Sequence, residues 1–263
     1  MPTIREFAAA KTKRRKIAVV TAYDAWSARL LADSGVDALL VGDSAMMVMH
    51  GERDTLGATV ELMALHTRAV ARGAPDKLIV ADLPFLAARK RTAYALDAAA
   101  QLMRAGAHAV KIEGVRGHAE VIRHLVESGI PVMGHLGLQP QSVHAVGGYF
   151  VQGRETGEAA QLREDCAAVE AAGAFALVLE CVPAKLARAV TADLRIPTIG
   201  IGAGAGCDGQ VLVLHDLLGF NPEFKPRFVR RFADGAAVVK KGVAAYVAAV
   251  RSKKFPAPKE SFT

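Results

Sequence analysis

Eight short apolar runs, separated by longer helix-patterned stretches, constrain the fold of this chain more than any other feature. They span residues 17–23, 37–42, 78–81, 109–112, 130–134, 175–180, 196–201 and 210–214. The runs are apolar on both faces instead of alternating, which is typical of parallel strands covered by helices. Eight such strands with no break in composition favour a single (β/α)8 barrel over a doubly wound sheet.

The stretches between the runs carry the signals that begin and end helices. Asp24 can cap a helix over residues 25–33, and Gly73 ends a helix over residues 60–72. Further helices are predicted over residues 92–104, 117–127, 159–172 and 233–250. Because no linker is visible, the sequence predicts one domain over residues 1–263, a TIM-type barrel with a C-terminal helical extension.

Charge and composition argue against several classes of function. The net charge is +7, but the basic clusters Lys11–Lys16 and Arg251–Lys254 are interpreted as solvated chain ends without stacking aromatics, so nucleic acid is not an expected partner. Cys166, Cys181 and Cys207 form no C-x-x-C pair, which argues against a disulfide framework and a zinc site. With no membrane-length apolar run and no signal core, we expect a soluble cytoplasmic protein.

Polar side chains end or follow the second to sixth apolar runs. They are Asp43 and Ser44, Asp82, Lys111 and Glu113, His135, and Glu180. Lys111 and Glu113 stand two residues apart on a strand, so both project to the same face. Because the active sites of such barrels lie at the C-terminal ends of the strands, we expect these side chains to share one site.

Carboxylates that converge on one point repel each other unless a positive charge lies among them. Lys111 is one source of that charge, and a hard divalent cation is another. Mg²⁺ prefers oxygen ligands and commonly uses one or two carboxylates together with water and substrate oxygens. Asp43, Asp82 and Glu113 are therefore candidate ligands, bound directly or through water.

Taken one at a time, the same residues have structural interpretations. Asp43 suits a turn and Ser44 a helix cap, and Asp82 can cap a turn in the same way. Lys111 and Glu113 suit an internal ion pair, and His135 suits a hydrogen-bonded core histidine. The coincidence of several acids and a lysine at matching strand ends favours a functional site.

The glycine-rich stretch over residues 200–209 satisfies G-x-G-x-x-G through Gly204, Gly206 and Gly209. A dinucleotide site needs a helix directly after that motif, whereas here a strand-like run follows. The stretch is therefore interpreted as a barrel loop near substrate phosphates or carboxylates, not as an NAD site.

Seven motifs occur in a fixed order along the chain: V-G-D-S, A-D-L-P-F, V-K-I-E-G, G-H-L-G-L-Q-P-Q-S, G-G-Y-F-V-Q-G-R, L-E-C-V-P and G-I-G-A-G-A-G-C-D-G-Q-V-L-V. Together they closely resemble the ketopantoate hydroxymethyltransferase family, from about Ile4 to Phe262. The resemblance implies a Mg²⁺-dependent (β/α)8 barrel, assembled as a homodecamer, in pantothenate biosynthesis. Such an enzyme transfers a hydroxymethyl group from methylenetetrahydrofolate to α-ketoisovalerate (3-methyl-2-oxobutanoate), giving ketopantoate through a Mg-stabilised enolate.

The resemblance also assigns roles to residues of this chain. It implies Asp43 and Asp82 as direct metal ligands that also meet the substrate, with Glu113 completing the metal site. Two other implied positions, Ser44 and Lys111, hold the substrate carboxylate.

For the chemical step the resemblance implies Glu180 as the proton acceptor, with His135 lining the pocket. The chain departs from the family pattern at Ala45-Met46, at Gly57 and at Phe150, and the segment 47–55 is unusual. These departures leave the implied ligands intact and bear on the contacts with folate.

Three other functions remain open on the sequence. A Mg²⁺-dependent carbon–carbon lyase for a 2-oxo acid would share the metal site and need no folate. An aldolase would form a Schiff base on Lys111. A non-catalytic protein would bind small acids without turnover, since a fold alone does not fix a function.

Overall fold

Each predicted apolar run forms a strand, and the eight parallel strands close into a barrel in the order β1 to β8. The computed structural model describes residues 3–262. The strands are β1 Ile17–Thr21, β2 Ala38–Val41, β3 Leu78–Asp82, β4 Ala109–Glu113, β5 Val132–Gly137, β6 Ala176–Glu180, β7 Thr198–Ile201 and β8 Gly209–Leu212. The predicted TIM-type barrel is confirmed, and the glycine-rich stretch comprises the end of β7, the β7–β8 connection and the first residue of β8.

Helices precede, connect and follow these strands. They are α1 Arg5–Thr12, α2 Ala25–Ala32, α3 Ala45–Val48, α4 Val60–Gly73, α5 Thr92–Arg104, α6 Ala119–Glu127, α7 Val143–Val146, α8 Thr156–Ala171, α9 Ala184–Asp193, α10 Leu214–Leu217 and α11 Gly235–Arg251. Asp24 caps α2 as predicted, because its side chain accepts from the N–H groups of Trp26 and Ser27. The short helix α1 was not among the predicted elements.

Two compact units divide the chain, the first ending at Val213 and the second beginning at Leu214. The first contains the whole barrel and α1 to α9. The second contains α10 and α11, and the Asp234 side chain caps α11 by accepting from the Ala237 N–H at 3.2 Å. The predicted C-terminal helix is thus confirmed, while a single domain over residues 1–263 stays a prediction. Across residues 3–262, no helix is both long enough and apolar enough to span a membrane.

Inward-facing positions of the strands change from apolar to polar along the barrel. On β3, Leu78 and Val80 belong to the buried inner core, and the next position on that face is Asp82. On β4, Ala109 belongs to the same core, followed on its face by Lys111 and Glu113. The apolar lower layers therefore fill the barrel, and the polar upper layer carries the candidate site.

Helix α1 closes the N-terminal end of the barrel. Phe7 is buried in the inner core, and its ring packs edge-on against Phe175 with 5.7 Å between centroids. Lys11 donates to Asp208 at 2.8 Å and to the Thr191 carbonyl at 2.8 Å. The interpretation of Lys11–Lys16 as a wholly solvated end was therefore wrong for Lys11, which cross-links α1 to the β7–β8 connection.

Candidate active site

Strand register brings the predicted site residues together at the C-terminal ends of β2 to β6. Asp82 is the register partner of Lys111 between β3 and β4, and Glu113 is the partner of His135 between β4 and β5. Asp43 lies two residues after the end of β2, and its N–H donates to Asp82 Oδ2 at 3.1 Å. These five side chains are all buried.

Asp43 and Asp82 form the most acidic part of the site. Burial and the neighbouring carboxylates of Asp82 and Glu113 hold the pKa of Asp43 well above its ordinary value. Burial also raises the pKa of Asp82, although the nearby charge of Lys111 opposes this effect. Two buried acids that raise each other's pKa in this way attract a cation or a proton.

Lys111 supplies the positive charge between the acids. Its Nζ lies 3.2 Å from Asp82 Oδ1 and 3.1 Å from His135 Nδ1. Burial lowers the pKa of Lys111, but the carboxylates of Asp82, Glu113 and Asp43 outweigh burial and raise it, so the ammonium stays charged.

His135 connects the acids on the opposite side of the site. Its Nδ1 lies 3.4 Å from Glu113 Oε1, and its Nε2 lies 3.1 Å from Glu180 Oε2. Burial and the Lys111 charge lower the pKa of His135, but hydrogen bonding to Glu113 and Glu180 raises it to about 9. The His135 contact in turn overcomes the effect of burial on Glu113 and lowers the pKa of that carboxyl.

Glu180 ends β6 and is the more accessible carboxylate, with 16% of its side chain exposed. Its carbonyl accepts from the Leu138 N–H at 2.9 Å. Gly137 has a φ of +89°, and a Cβ there would lie 2.2 Å from the Glu180 carbonyl oxygen. Only glycine allows this approach, so Gly137 permits the Leu138 hydrogen bond that holds the Glu180 backbone.

Ser44 lies beside Asp43 but does not serve as the helix cap considered above. Within the described chain, its side chain makes no capping bond to α3. Instead, Ser44 Oγ shares a 2.8 Å hydrogen bond with the hydroxyl of Tyr23. Tyr23 is buried, and burial raises the pKa of its phenol, so the hydroxyl keeps its proton and can donate to Ser44.

Gln141 is a site residue that the sequence reasoning missed. Its Nε2 donates to Asp43 Oδ2 at 2.8 Å and to the Leu83 carbonyl at 3.0 Å. Its backbone N–H donates to Glu113 Oε2 at 3.0 Å, so the residue joins both acidic parts of the site. The only available signal was its place in the motif G-H-L-G-L-Q-P-Q-S.

The donor set fits a hard cation at Asp43 and Asp82. Oδ1 of Asp82 is buried and pairs with Lys111 Nζ at 3.2 Å, while Oδ2 accepts from the Asp43 N–H. Mg²⁺ commonly uses one or two carboxylates and completes its shell with water and substrate oxygens. However, the described residues contain no group of three His, Cys, Asp or Glu side chains placed to hold a metal ion by themselves. A metal role for Glu113, which faces His135 and Gln141, stays a prediction.

Solved structures with this fold support the architecture alone. Phosphonopyruvate hydrolase, crystallised with oxalate and Mg++, has a TM-score of 0.64 and 13% identity, with 99% of this chain and 93% of that chain covered. The 2,3-dimethylmalate lyase of the PEP mutase/isocitrate lyase superfamily has a TM-score of 0.57 and 19% identity, with 95% and 89% covered.

Sequence comparison assigns the family. A family model described as ketopantoate hydroxymethyltransferase matches residues 2–258. The 3-methyl-2-oxobutanoate hydroxymethyltransferase of Bdellovibrio bacteriovorus is 51% identical over 263 residues, which cover 100% of both chains. The enzyme of the same name from Coxiella burnetii is 48% identical over 252 residues, or 95% of each chain. The chain therefore belongs to the ketopantoate hydroxymethyltransferase family.

Proposed function

We propose that this enzyme transfers a hydroxymethyl group from methylenetetrahydrofolate to α-ketoisovalerate and so supplies ketopantoate for pantothenate biosynthesis. The observation that carries the proposal is the division of the site into two parts. Asp43 and Asp82 lie beside a charged lysine, and the more accessible Glu180 lies against His135. The first part suits an anionic 2-oxo acid with a divalent cation, and the second suits removal of a proton.

Asp43 and Asp82 would hold Mg²⁺ directly. Glu113, which accepts from the Gln141 backbone N–H, would complete the metal site. Bound there, the ion would stabilise the negative charge that develops on the ketone oxygen when the neighbouring carbon loses its proton. Lys111 and Ser44 would hold the substrate carboxylate, because one offers a charged donor and the other a hydroxyl oriented by Tyr23.

Glu180 would act as the general base. Its carboxylate would take the C3 proton of α-ketoisovalerate, and the electron pair of the broken C–H bond would form the enolate. C3 would then form the new carbon–carbon bond to the one-carbon unit, whose two bonds to the folate nitrogens break. Water would supply the hydroxyl oxygen and its proton, and the second proton of water together with the proton held by Glu180 would pass to the two folate nitrogens. His135, with Nε2 3.1 Å from Glu180 Oε2, would orient the carboxylate throughout.

The family resemblance also supports a homodecamer in the cytoplasm as part of this proposal. Assembly can be measured independently of chemistry by light scattering of the purified chain. A mass near ten subunits supports the decamer, and a monomeric mass contradicts it.

A proton-NMR time course tests the activity and the metal together. The protein is mixed with α-ketoisovalerate and methylenetetrahydrofolate, either with Mg²⁺ or with EDTA. We expect ketopantoate only with Mg²⁺. Product that persists in EDTA contradicts the metal-assisted mechanism and favours a Schiff base on Lys111, which borohydride would trap in the presence of substrate. Absence of product in both samples contradicts the transferase itself.

A further inference from the structure

A cavity of about 290 Å³ lies at the C-terminal ends of β3, β4 and β5, outside the residues assigned to the reaction. Arg89 lines it from the β3–α5 loop, Gly114 and Arg116 from the loop after β4, and Gln139 from the loop after β5. Gly114 directly follows Glu113, so this cavity borders the catalytic site.

Arg89 is the uncompensated cation of this cavity. The other arginine, Arg116, donates from Nε to both carboxylate oxygens of Asp165, at 2.9 and 3.1 Å. Arg89 Nη1 donates to the Arg116 carbonyl at 3.2 Å, and no carboxylate within residues 3–262 forms an ion pair with it. A charged fork without a carboxylate partner can bind an anionic ligand bidentately.

Gly114 makes the space that Arg89 occupies. Its φ is +78°, and a Cβ at this position would lie 2.8 Å from Arg89 Nη2 and 3.0 Å from Gln139 Oε1. The guanidinium and the amide therefore lie side by side over a bare stretch of backbone. Any side chain at residue 114 would displace the pair of polar groups.

Arg89 also connects this cavity with the reaction centre. It lines a second, narrower cavity of about 20 Å³, whose wall includes Glu113 and Gln141. Arg89 thus lines both the wider outer cavity and a narrow cavity that reaches Glu113 at the edge of the site.

We propose that Arg89, assisted by Gln139, binds a glutamate carboxylate of the folate co-substrate. This inference rests on the proposed function. The folate carries its one-carbon unit on the pteridine side and its glutamate carboxylates at the opposite end, so the carboxylates lie outward when the one-carbon unit faces the ketoacid. Arg89 offers an unpaired positive charge in that outward position, on the rim of the site.

The test compares Arg89→Gln with Lys90→Gln. Lys90 is the matched control, because it is an exposed cation in the same loop, with Nζ 4.6 Å from the Tyr94 ring centroid. Each protein is assayed with methylenetetrahydrofolate and with methylenetetrahydropteroate, which lacks the glutamate. Deuterium exchange at C3 of α-ketoisovalerate in D2O needs no folate. It therefore shows, independently of folate binding, whether the protein is folded and its ketoacid site is intact.

For Arg89→Gln we expect KM for methylenetetrahydrofolate to rise by about 10-fold to 100-fold, the worth of a hydrogen bond to a charged group. The C3 exchange rate and the ketoacid KM should stay within about twofold, and Arg89→Lys should give an intermediate KM because charge without the fork remains. The Arg89→Gln and wild-type proteins should have equal KM for methylenetetrahydropteroate, because this carrier has no glutamate carboxylate.

Three results overturn the Arg89 assignment while leaving the transferase intact. The first is that the wild-type protein has equal KM values for the two carriers. The second is that Arg89→Gln and Lys90→Gln raise KM for methylenetetrahydrofolate equally. The third is that Arg89→Gln also raises KM for methylenetetrahydropteroate. Failure of the unchanged protein to form ketopantoate from either carrier would overturn the proposed function and this inference with it.

Discussion

On the β2–β3 side of the site, Asp43 and Asp82 lie together with carboxyl pKa values raised by burial and by neighbouring acids. On the β4–β6 side, Glu113 and Glu180 flank His135, and the pKa of Glu113 is lowered. Both sides contain two acids, but only the second has a histidine between them. Lys111 lies between the two sides, 3.2 Å from Asp82 and 3.1 Å from His135.

This difference shows how the acids at one end of the barrel can support both cation binding and proton transfer. When both carboxyls of the β2–β3 pair are ionised, two negative charges face the single charge of Lys111, so a divalent cation would stabilise the ionised pair. The β4–β6 acids instead both contact His135, and their hydrogen bonding outweighs burial and raises its pKa to about 9, which favours the imidazolium at neutral pH. We therefore expect changes on the first side to affect metal and substrate binding, and changes on the second side to affect proton transfer.

The largest expected effect comes from Asp82→Asn on the β2–β3 side. We expect ketopantoate formation to fall by about 10⁴-fold, because loss of cation-assisted charge stabilisation costs several kcal/mol. Binding of α-ketoisovalerate should weaken with it. Asp76→Asn, an exposed change just before β3, is the control and should keep full activity. Normal ketoacid binding and turnover by Asp82→Asn would contradict the division into two sides.

Glu180→Gln removes the proposed base from the β4–β6 side. We expect C3 deuterium exchange to fall by about 10³-fold, within the range for loss of a general base. The equilibrium affinity for α-ketoisovalerate with Mg²⁺ should change little, in contrast with Asp82→Asn. Exchange at the unchanged rate would remove Glu180 from the mechanism, and a parallel loss of affinity would mean that the two sides are not separable.

Gln141→Ala sharpens the comparison, because the side chain contacts Asp43 while the backbone N–H contacts Glu113. The substitution should disturb only the β2–β3 side. We expect the Mg²⁺ concentration for half-maximal rate to rise by about 10-fold, as for other partners that orient metal ligands. Gln161→Ala on α8 is the control. An unchanged Mg²⁺ requirement would show that Gln141 does not orient a metal ligand.

Tyr23→Phe gives the smallest expected effect. The buried ring remains, but Ser44 loses the 2.8 Å hydroxyl contact that orients it. We expect KM for α-ketoisovalerate to rise by about 5-fold, with a smaller change in kcat, since a single neutral hydrogen bond contributes about 1 kcal/mol. Tyr94→Phe, at a surface tyrosine, should leave both constants unchanged. A fall in kcat at constant KM would place Tyr23 with the chemistry instead.

The sequence predicted the barrel and the meeting of polar residues at its upper end, because both depend on patterns within single strands. Spacing of two residues between Lys111 and Glu113 was sufficient to place them on one face. Gln141 and Tyr23 were missed because their roles depend on side-chain contacts between distant segments, 98 residues apart for Gln141 and Asp43. Helix α1 was missed because the charges in Lys11–Lys16 suggested a solvated chain end. In the structure, Phe7 in the first turns of α1 is buried in the inner core of the barrel.

The burial of Phe7 has a consequence for kinetic order. Since α1 and the apolar layers close one end of the barrel, both reactants must enter and leave through the same opening. A small ketoacid at Lys111 would lie beneath a folate whose tail reaches Arg89. The ketoacid would then bind first, and ketopantoate would leave last. Product-inhibition patterns would reveal this order of binding. Ketopantoate should inhibit competitively against the ketoacid, and tetrahydrofolate should not.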